Sequence, residues 1–272
     1  MQLGLSGKVV LVTGGSKGLG LATARAFAEE GARVAIASRS AENLALARAS
    51  LAADGLEATT IAGDFVDAKQ ATDAVEETER LLGPLDILIN SAGAAKRTPP
   101  ESLDAATWRA GLDAKFFPYI HVQDAALKSF RKRAETDGIE PPPRQLGAIV
   151  NIVGTGGRVP TSTHLPGGSA NAALLLSTLG LAQYYARYGI RINAINPGVT
   201  LTDRVEQHLQ LEAERLGISR EEALARGQAA TPLRRYGEAS EIANVALFLA
   251  SEKASYVVGA LVSVDGGQYS AL

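Results

Sequence analysis

Short runs of β-branched and other apolar residues alternate along this chain with longer segments rich in alanine and leucine. That alternation is the pattern of βαβ units around a parallel sheet, whose strands are apolar on both faces because helices cover each side. The first strand is expected over Lys8–Thr13. It leads directly into Gly14-Gly15-Ser16-Lys17-Gly18-Leu19-Gly20 and a helix through Glu30, with Gly31 at the place of a helix C-terminal glycine. A second strand is expected over Arg33–Ser38 and a helix over Asn43–Ala53. Five further strands fall at Ala58–Ala62, Leu85–Asn90, Ala148–Val153, Arg191–Ile195 and Ala260–Val264. Helices are expected at Asp104–Arg133, Ser169–Arg187 and Ser240–Ala250. Seven strands with helices between them imply an α/β, doubly wound Rossmann fold forming one domain over residues 1–272.

One stretch departs from the rhythm. Residues 131–144 are charged and then proline-rich, and Pro141-Pro142-Pro143 forbids a helix and favours an extended surface loop. The basic cluster from Lys128 to Arg133 reads as a solvated helix end.

Composition narrows the function. With 272 residues, 46% hydrophobic and 21% charged, the chain has the make-up of a globular domain with a sizeable core. No apolar run reaches the roughly 18 residues of a membrane helix. No basic segment precedes an apolar one at the start, so a cytoplasmic protein is expected. A net charge of −2 supplies no attraction for nucleic acid or anionic membrane. The absence of cysteine excludes disulfides and thiolate metal sites, and His121 and His208 have no metal-ligand spacing. No metal is expected.

The glycine loop carries the first chemistry. A strand-to-helix turn that brings backbone N–H groups against a pyrophosphate leaves no room for a Cβ. Gly14, Gly18 and Gly20 have the spacing TGxxxGxG on such a turn. Cofactor choice follows from charge. A carboxylate about 20 positions further on would bind the ribose hydroxyl of NAD and repel a 2′-phosphate. Here that place reads Ser38-Arg39, and Lys17 adds a second cation, so NADP(H) is the expected cofactor.

With these motifs the chain resembles the short-chain dehydrogenase/reductase family over nearly its whole length. Residues 13–20 look like the family's cofactor loop, placing Ser16 and Leu19 in it. Asn90-Ser91-Ala92-Gly93 is similar to its Asn-Asn-Ala-Gly segment, and Asp64-Phe65 falls where the adenine is contacted. Residues 190–202 look like its Pro-Gly segment, so Pro197, Gly198, Val199 and Thr202 are expected at the nicotinamide. Val264-Asp265-Gly266-Gly267 matches the last strand. The resemblance also implies a homotetramer, with the glycine- and alanine-rich start of the Ser169–Arg187 helix allowing close helix approach.

The family's chemistry rests on a tyrosine, a lysine four residues later, a serine and an asparagine on the neighbouring helix. Matching the flanking motifs puts the asparagine, serine, tyrosine and lysine on Lys115, Gly154, Gly167 and Asn171. None of the usual side chains is present, yet lysine and asparagine stand as though exchanged. Lys115 is therefore expected to extend its ammonium into the space freed by Gly154 and Gly167. Tyr119, one turn further on the same face, and His164, one turn short of the tyrosine position, are candidate proton donors. Asn171 is expected to bond the ribose, and Thr155, Thr163 and Ser169 are hydroxyls near enough to orient a carbonyl. The reading is an NADP(H)-dependent oxidoreductase of a small carbonyl or alcohol with relocated acid/base groups. The alternatives are a non-redox NADP(H)-binding protein, or an isomerase or lyase in the same pocket.

Overall fold

The computed structural model describes residues 2–93, 95–137 and 145–269. Seven strands form one sheet: β1 (Val9–Thr13), β2 (Arg33–Ser38), β3 (Ala58–Ala62), β4 (Ile87–Asn90), β5 (Gly147–Ile152), β6 (Ile190–Pro197) and β7 (Leu261–Val264). All pair in parallel in the order β3-β2-β1-β4-β5-β6-β7. The strand order reverses between β1 and β4, which opens a crevice at the carboxyl ends of those strands. The expected strands are all present, with ends shifted by three residues or fewer.

The β1, β4, β5 and β6 strands are buried at every residue, which is why they read as unbroken apolar runs. One face packs against α1 (Gly18–Glu29), α2 (Ala41–Ala53) and α9 (Ala239–Ala250), through Phe27, Leu44, Leu51 and Ile242. The other packs against α3 (Ala68–Leu82), α5 (Phe117–Asp137) and α6 (Leu165–Tyr185), through Val75, Val122, Phe130 and Ala182. The remaining helices are α4 (Ala105–Lys115), α7 (Asp203–Leu216) and α8 (Arg220–Ala229).

Two expectations need correction. The helix expected over Asp104–Arg133 is two helices, α4 and α5, interrupted at Phe116. Pro118 has no N–H to continue the ladder of α4 and instead falls in the first turn of a new helix, where that donor has no intrahelical partner. The helix expected from Ser169 begins at Leu165, with Pro166 in its first turn. The proline-rich segment lies outside the described residues.

Candidate active site

The glycine loop is built as its mechanics require. Gly14 has φ +66°, and a Cβ there would lie 2.7 Å from the Ser91 carbonyl oxygen and 2.8 Å from Ala92 Cα. The Asn90–Gly93 segment therefore presses directly on the loop. A Cβ on Gly20 would collide with the Gly14 carbonyl. Lys17 is the residue before α1, and no side chain caps that helix, so its first amides face the crevice available to an anion. Gly18, at φ +53°, looks across at Thr202: its Cβ would be 3.6 Å from Thr202 Cγ2. Ser16 on the loop and Leu19 in the first turn of α1 are partly exposed.

Lys17 and Arg39 are exposed, and neither has a hydrogen-bond or ion-pair partner among the described residues. Ser38, the last residue of β2, donates to the Ser40 carbonyl at 3.5 Å, and Ser40 caps α2 by accepting from the Asn43 amide at 3.1 Å. Two free cations, a loop with no space for Cβ atoms and an uncapped helix start fit the phosphates of NADP(H). Asp64 is tied into its own turn, accepting from the Val66 amide at 3.3 Å, while the buried Phe65 offers its carbonyl to His121 Nδ1 at 3.1 Å. His121 thus serves the loop. Among the described residues no cluster of side chains could hold a metal.

Asn90 is wholly buried, and its amide joins a polar ladder through the sheet. It accepts from Thr13 Oγ1 at 3.2 Å and donates to Asn151 Oδ1 at 3.0 Å. Asn151 in turn donates to Gln123 Oε1 at 2.9 Å and Thr178 Oγ1 at 3.0 Å. The Asn90 side chain is thereby a strut that fixes Ala92 and Gly93. A Cβ at Gly93, φ +94°, would strike the Ala114 carbonyl, so this turn also packs on the end of α4. On the opposite wall Gly198 passes close to Asp265, where a Cβ would lie 2.8 Å from Asp265 Cα. Val199 is held by a 3.4 Å bond from its amide to Gln268 Oε1. Pro197 ends β6.

Lys115, the last residue of α4, turns inward and is only 9% exposed. Its Nζ donates to Tyr119 Oη at 2.7 Å and to the Ile152 carbonyl at 3.2 Å, and it lies 4.4 Å from the Tyr119 ring centroid. Tyr119 Oη donates to the same carbonyl at 2.5 Å. The tyrosine body is buried with Val153, Leu174, Leu175 and Ala194. The expected i, i+4 meeting of the two side chains is present, but it holds the ammonium at the Ile152 carbonyl and not in the space at Gly154, where among the described residues a Cβ would have only Asn171 Nδ2 within 4 Å.

The space at Gly154 and Gly167 is bordered by other groups. His164 precedes α6, and its imidazole folds forward over the first turn. A Cβ on Gly167 would collide with His164 Cε1, lie 2.6 Å from Nε2 and 2.8 Å from Ala95 Cβ. From the other side a Cβ on Gly156 would be 3.3 Å from His164 Cδ2. The ring is thus seated between two glycines, and the turn of sequence that separates it from position 167 is bridged by its side chain. Position 154 faces Asn171, whose Nδ2 is 3.3 Å from where a Gly154 Cβ would be. Asn171 is 5% exposed, and among the described residues its Oδ1 has no hydrogen-bond partner. Ser169 is exposed, Thr155 opens the turn that holds Gly156, and Thr163 accepts at its carbonyl from the Thr98 amide at 2.8 Å.

Sequence reasoning missed Gly156, Ala95 and Asn196. The last is fully buried near the end of β6, and neither amide atom has a partner among the described residues. Its position ahead of Pro197-Gly198 was a usable signal; the other two have small side chains that carry no chemical mark.

Comparison with known proteins agrees with this architecture. A family model described as enoyl-(acyl carrier protein) reductase matches residues 14–269, and the chain belongs to the short-chain dehydrogenase/reductase family. It is similar to gluconate 5-dehydrogenase of Gluconobacter oxydans, 33% identical over 97% of this chain and 95% of that protein. Levodione reductase of Leifsonia aquatica is 35% identical over the same shares. Among solved structures, L-sorbose reductase from Gluconobacter frateurii complexed with NADPH and L-sorbose superposes with a TM-score of 0.90. It has 28% identity and full coverage of both chains.

Proposed function

We propose that this protein is an NADP(H)-dependent oxidoreductase that interconverts a small carbonyl compound and its alcohol, with His164 as the proton donor and acceptor. The observation that carries this is the imidazole seated against Gly167, with Nε2 where the first atoms of the family's tyrosine would stand. The named relatives are reductases and dehydrogenases of small molecules, and L-sorbose reductase binds NADPH. NADPH, when bound, supplies the hydride that the carbonyl carbon accepts.

The chain's own groups do the rest. Lys17 and Arg39 take the 2′-phosphate, the α1 amides the pyrophosphate, and Val199 and Thr202 the nicotinamide side. Asn171 offers its unpartnered Oδ1 to a ribose hydroxyl, which supplies the hydrogen bond this buried atom lacks. His164 holds a proton at Nε2 and passes it to the carbonyl oxygen as the alcohol forms; in oxidation the same nitrogen takes it back. Lys115 contributes a fixed positive charge at the end of β5, with Tyr119 as the residue that positions it. The exposed apolar residues Leu176, Phe248 and Tyr256 support association of copies, and a homotetramer is part of the same proposal. A cytoplasmic location is part of the same proposal; among the described residues no helix is long and apolar enough to cross a membrane.

The test is NADPH oxidation with a panel of ketones, followed by His164→Gln and Lys115→Met on the best substrate. Both variants are expected to lose at least a hundredfold in kcat while calorimetric NADPH affinity stays within a few-fold. Full turnover in His164→Gln would remove the histidine from the chemistry. A native protein that binds NADPH but reduces nothing in the panel would favour a non-redox nucleotide-binding role.

A further inference from the structure

The rim beside His164 is basic. Ala95 faces Gly167; Lys96 and Arg97 follow it, both exposed. Arg158, also exposed, ends the turn that carries Gly156. Arg97 Nη1 donates to Thr163 Oγ1 at 3.3 Å, while the Thr98 amide donates to the Thr163 carbonyl at 2.8 Å. The guanidinium is thereby attached to the residue immediately before the imidazole. Among the described residues Arg97 has no other polar contact, and no carboxylate pairs with it, with Lys96 or with Arg158. Several other arginines of the chain are neutralised by carboxylates instead. Arg25 pairs with Asp54, Arg80 with Glu77, Arg220 with Glu206, Arg226 with Glu222 and Arg235 with Glu241.

A hydroxyl neither neutralises a guanidinium nor uses more than one of its five N–H groups, so the rest of the planar fork is available. That fork matches the two oxygens of a carboxylate or phosphate, and such charge-assisted pairs are stronger and more directional than neutral hydrogen bonds. Like charges gathered at the mouth of a cleft also raise the local concentration of an anion.

We propose that Arg97, supported by Lys96, anchors an anionic group of the substrate, and that the substrates are oxo compounds carrying a carboxylate or phosphate. This rests on the oxidoreductase reading. His164 meets the reacting oxygen while Arg97, held one residue away, fixes the charged end. The loop after β4 thereby selects for substrate charge. Arg97 is far in sequence and in role from the 2′-phosphate cations Lys17 and Arg39, so the two anion sites are separable by substitution.

The experiment compares matched pairs: acetoacetate with methyl acetoacetate, and dihydroxyacetone phosphate with dihydroxyacetone. Wild-type protein is expected to prefer at least one anion over its neutral partner by tenfold or more in kcat/KM. The pair that shows it identifies carboxylate or phosphate. Arg97→Met should raise KM for that anion at least tenfold, change its kcat less than threefold, and narrow the preference to within threefold. Raising the salt concentration should weaken the wild-type preference. Equal use of neutral and charged partners, or a preference that survives Arg97→Met, would overturn the anchor while leaving the redox reading intact. If no compound is reduced, binding of the same anions to the NADPH-loaded protein decides. Calorimetric binding that Arg97→Met abolishes supports the anchor with the redox reading lost, and no binding, or binding indifferent to Arg97, overturns it.

Discussion

Gly154 sits at φ +127° and ψ 151°, a region that L side chains rarely adopt. Restoring the family's serine at this position therefore strains the backbone and pushes a Cβ toward Asn171 Nδ2. Gly154→Ser is expected to lower unfolding free energy by about 1–3 kcal/mol, read as a lower urea midpoint at unchanged m-value. A variant as stable as the native protein would show that the turn can relax. At the other nucleotide end, Arg39→Asp should reverse a preference for NADPH over NADH of tenfold or more, because a carboxylate repels the 2′-phosphate and bonds a ribose hydroxyl. Equal calorimetric affinity of the native protein for both nucleotides would contradict this. The geometry of the glycine loop was legible because its spacing has one mechanical cause. The seat of His164 was not. Counting along the chain puts it a turn short of position 167, and only the folded side chain, entering between Gly156 and Gly167, closes that distance.

Among the elements, the central strands β1, β4, β5 and β6 were readable since burial on both faces leaves largely apolar runs. The division of α4 from α5 was written in Pro118 but hidden by helix-forming residues on both sides. The start of α9 illustrates what pattern alone does not give. Glu241 accepts from the Glu238 amide at 2.8 Å and from both terminal nitrogens of Arg235 at 2.7 Å. The Arg235 bond, then the Glu238 amide, holds the Glu241 carboxyl at about 2, below its ordinary 4.5. A folded-state pKa below the unfolded one means the contribution is complete above about pH 4.5 and disappears as pH falls toward 2. The Tm difference between native protein and Glu241→Gln should therefore be present at pH 6 and close over that acid window. It should also shrink with added salt, since the pair is exposed. A difference independent of pH would show that the carboxylate's charge contributes nothing.

For the whole molecule, the small residues at the start of the Ser169–Arg187 segment were expected to let a second copy approach, and a close contact just ahead of them lies within one chain. A Cβ on Gly111 would lie 2.5 Å from Pro166 Cβ, so α4 and α6 occupy that close contact themselves. Exposed apolar surface lies further along. Leu176 and Leu179 of α6 are 72% and 38% exposed, Phe248 of α9 is 40%, and Tyr256 and Val258, ahead of β7, are fully and 41% exposed. Leu179 and the start of β7 are neighbours, since a Cβ on Gly259 would be 3.8 Å from Leu179 Cδ2. This is an edge strand of the sheet, with no strand outside it among the described residues, and an apolar edge flanked by apolar helix residues is a surface that association covers. Light scattering at micromolar concentration should report a particle about four times the 28.3 kDa chain. The double variant Leu176→Glu, Tyr256→Glu should yield smaller species with far-UV dichroism unchanged, because charge placed on a buried interface costs several kcal/mol per copy unless it finds a partner. A native monomer, or a double variant that stays the size of the native particle, would show that this edge is not the surface that joins the copies.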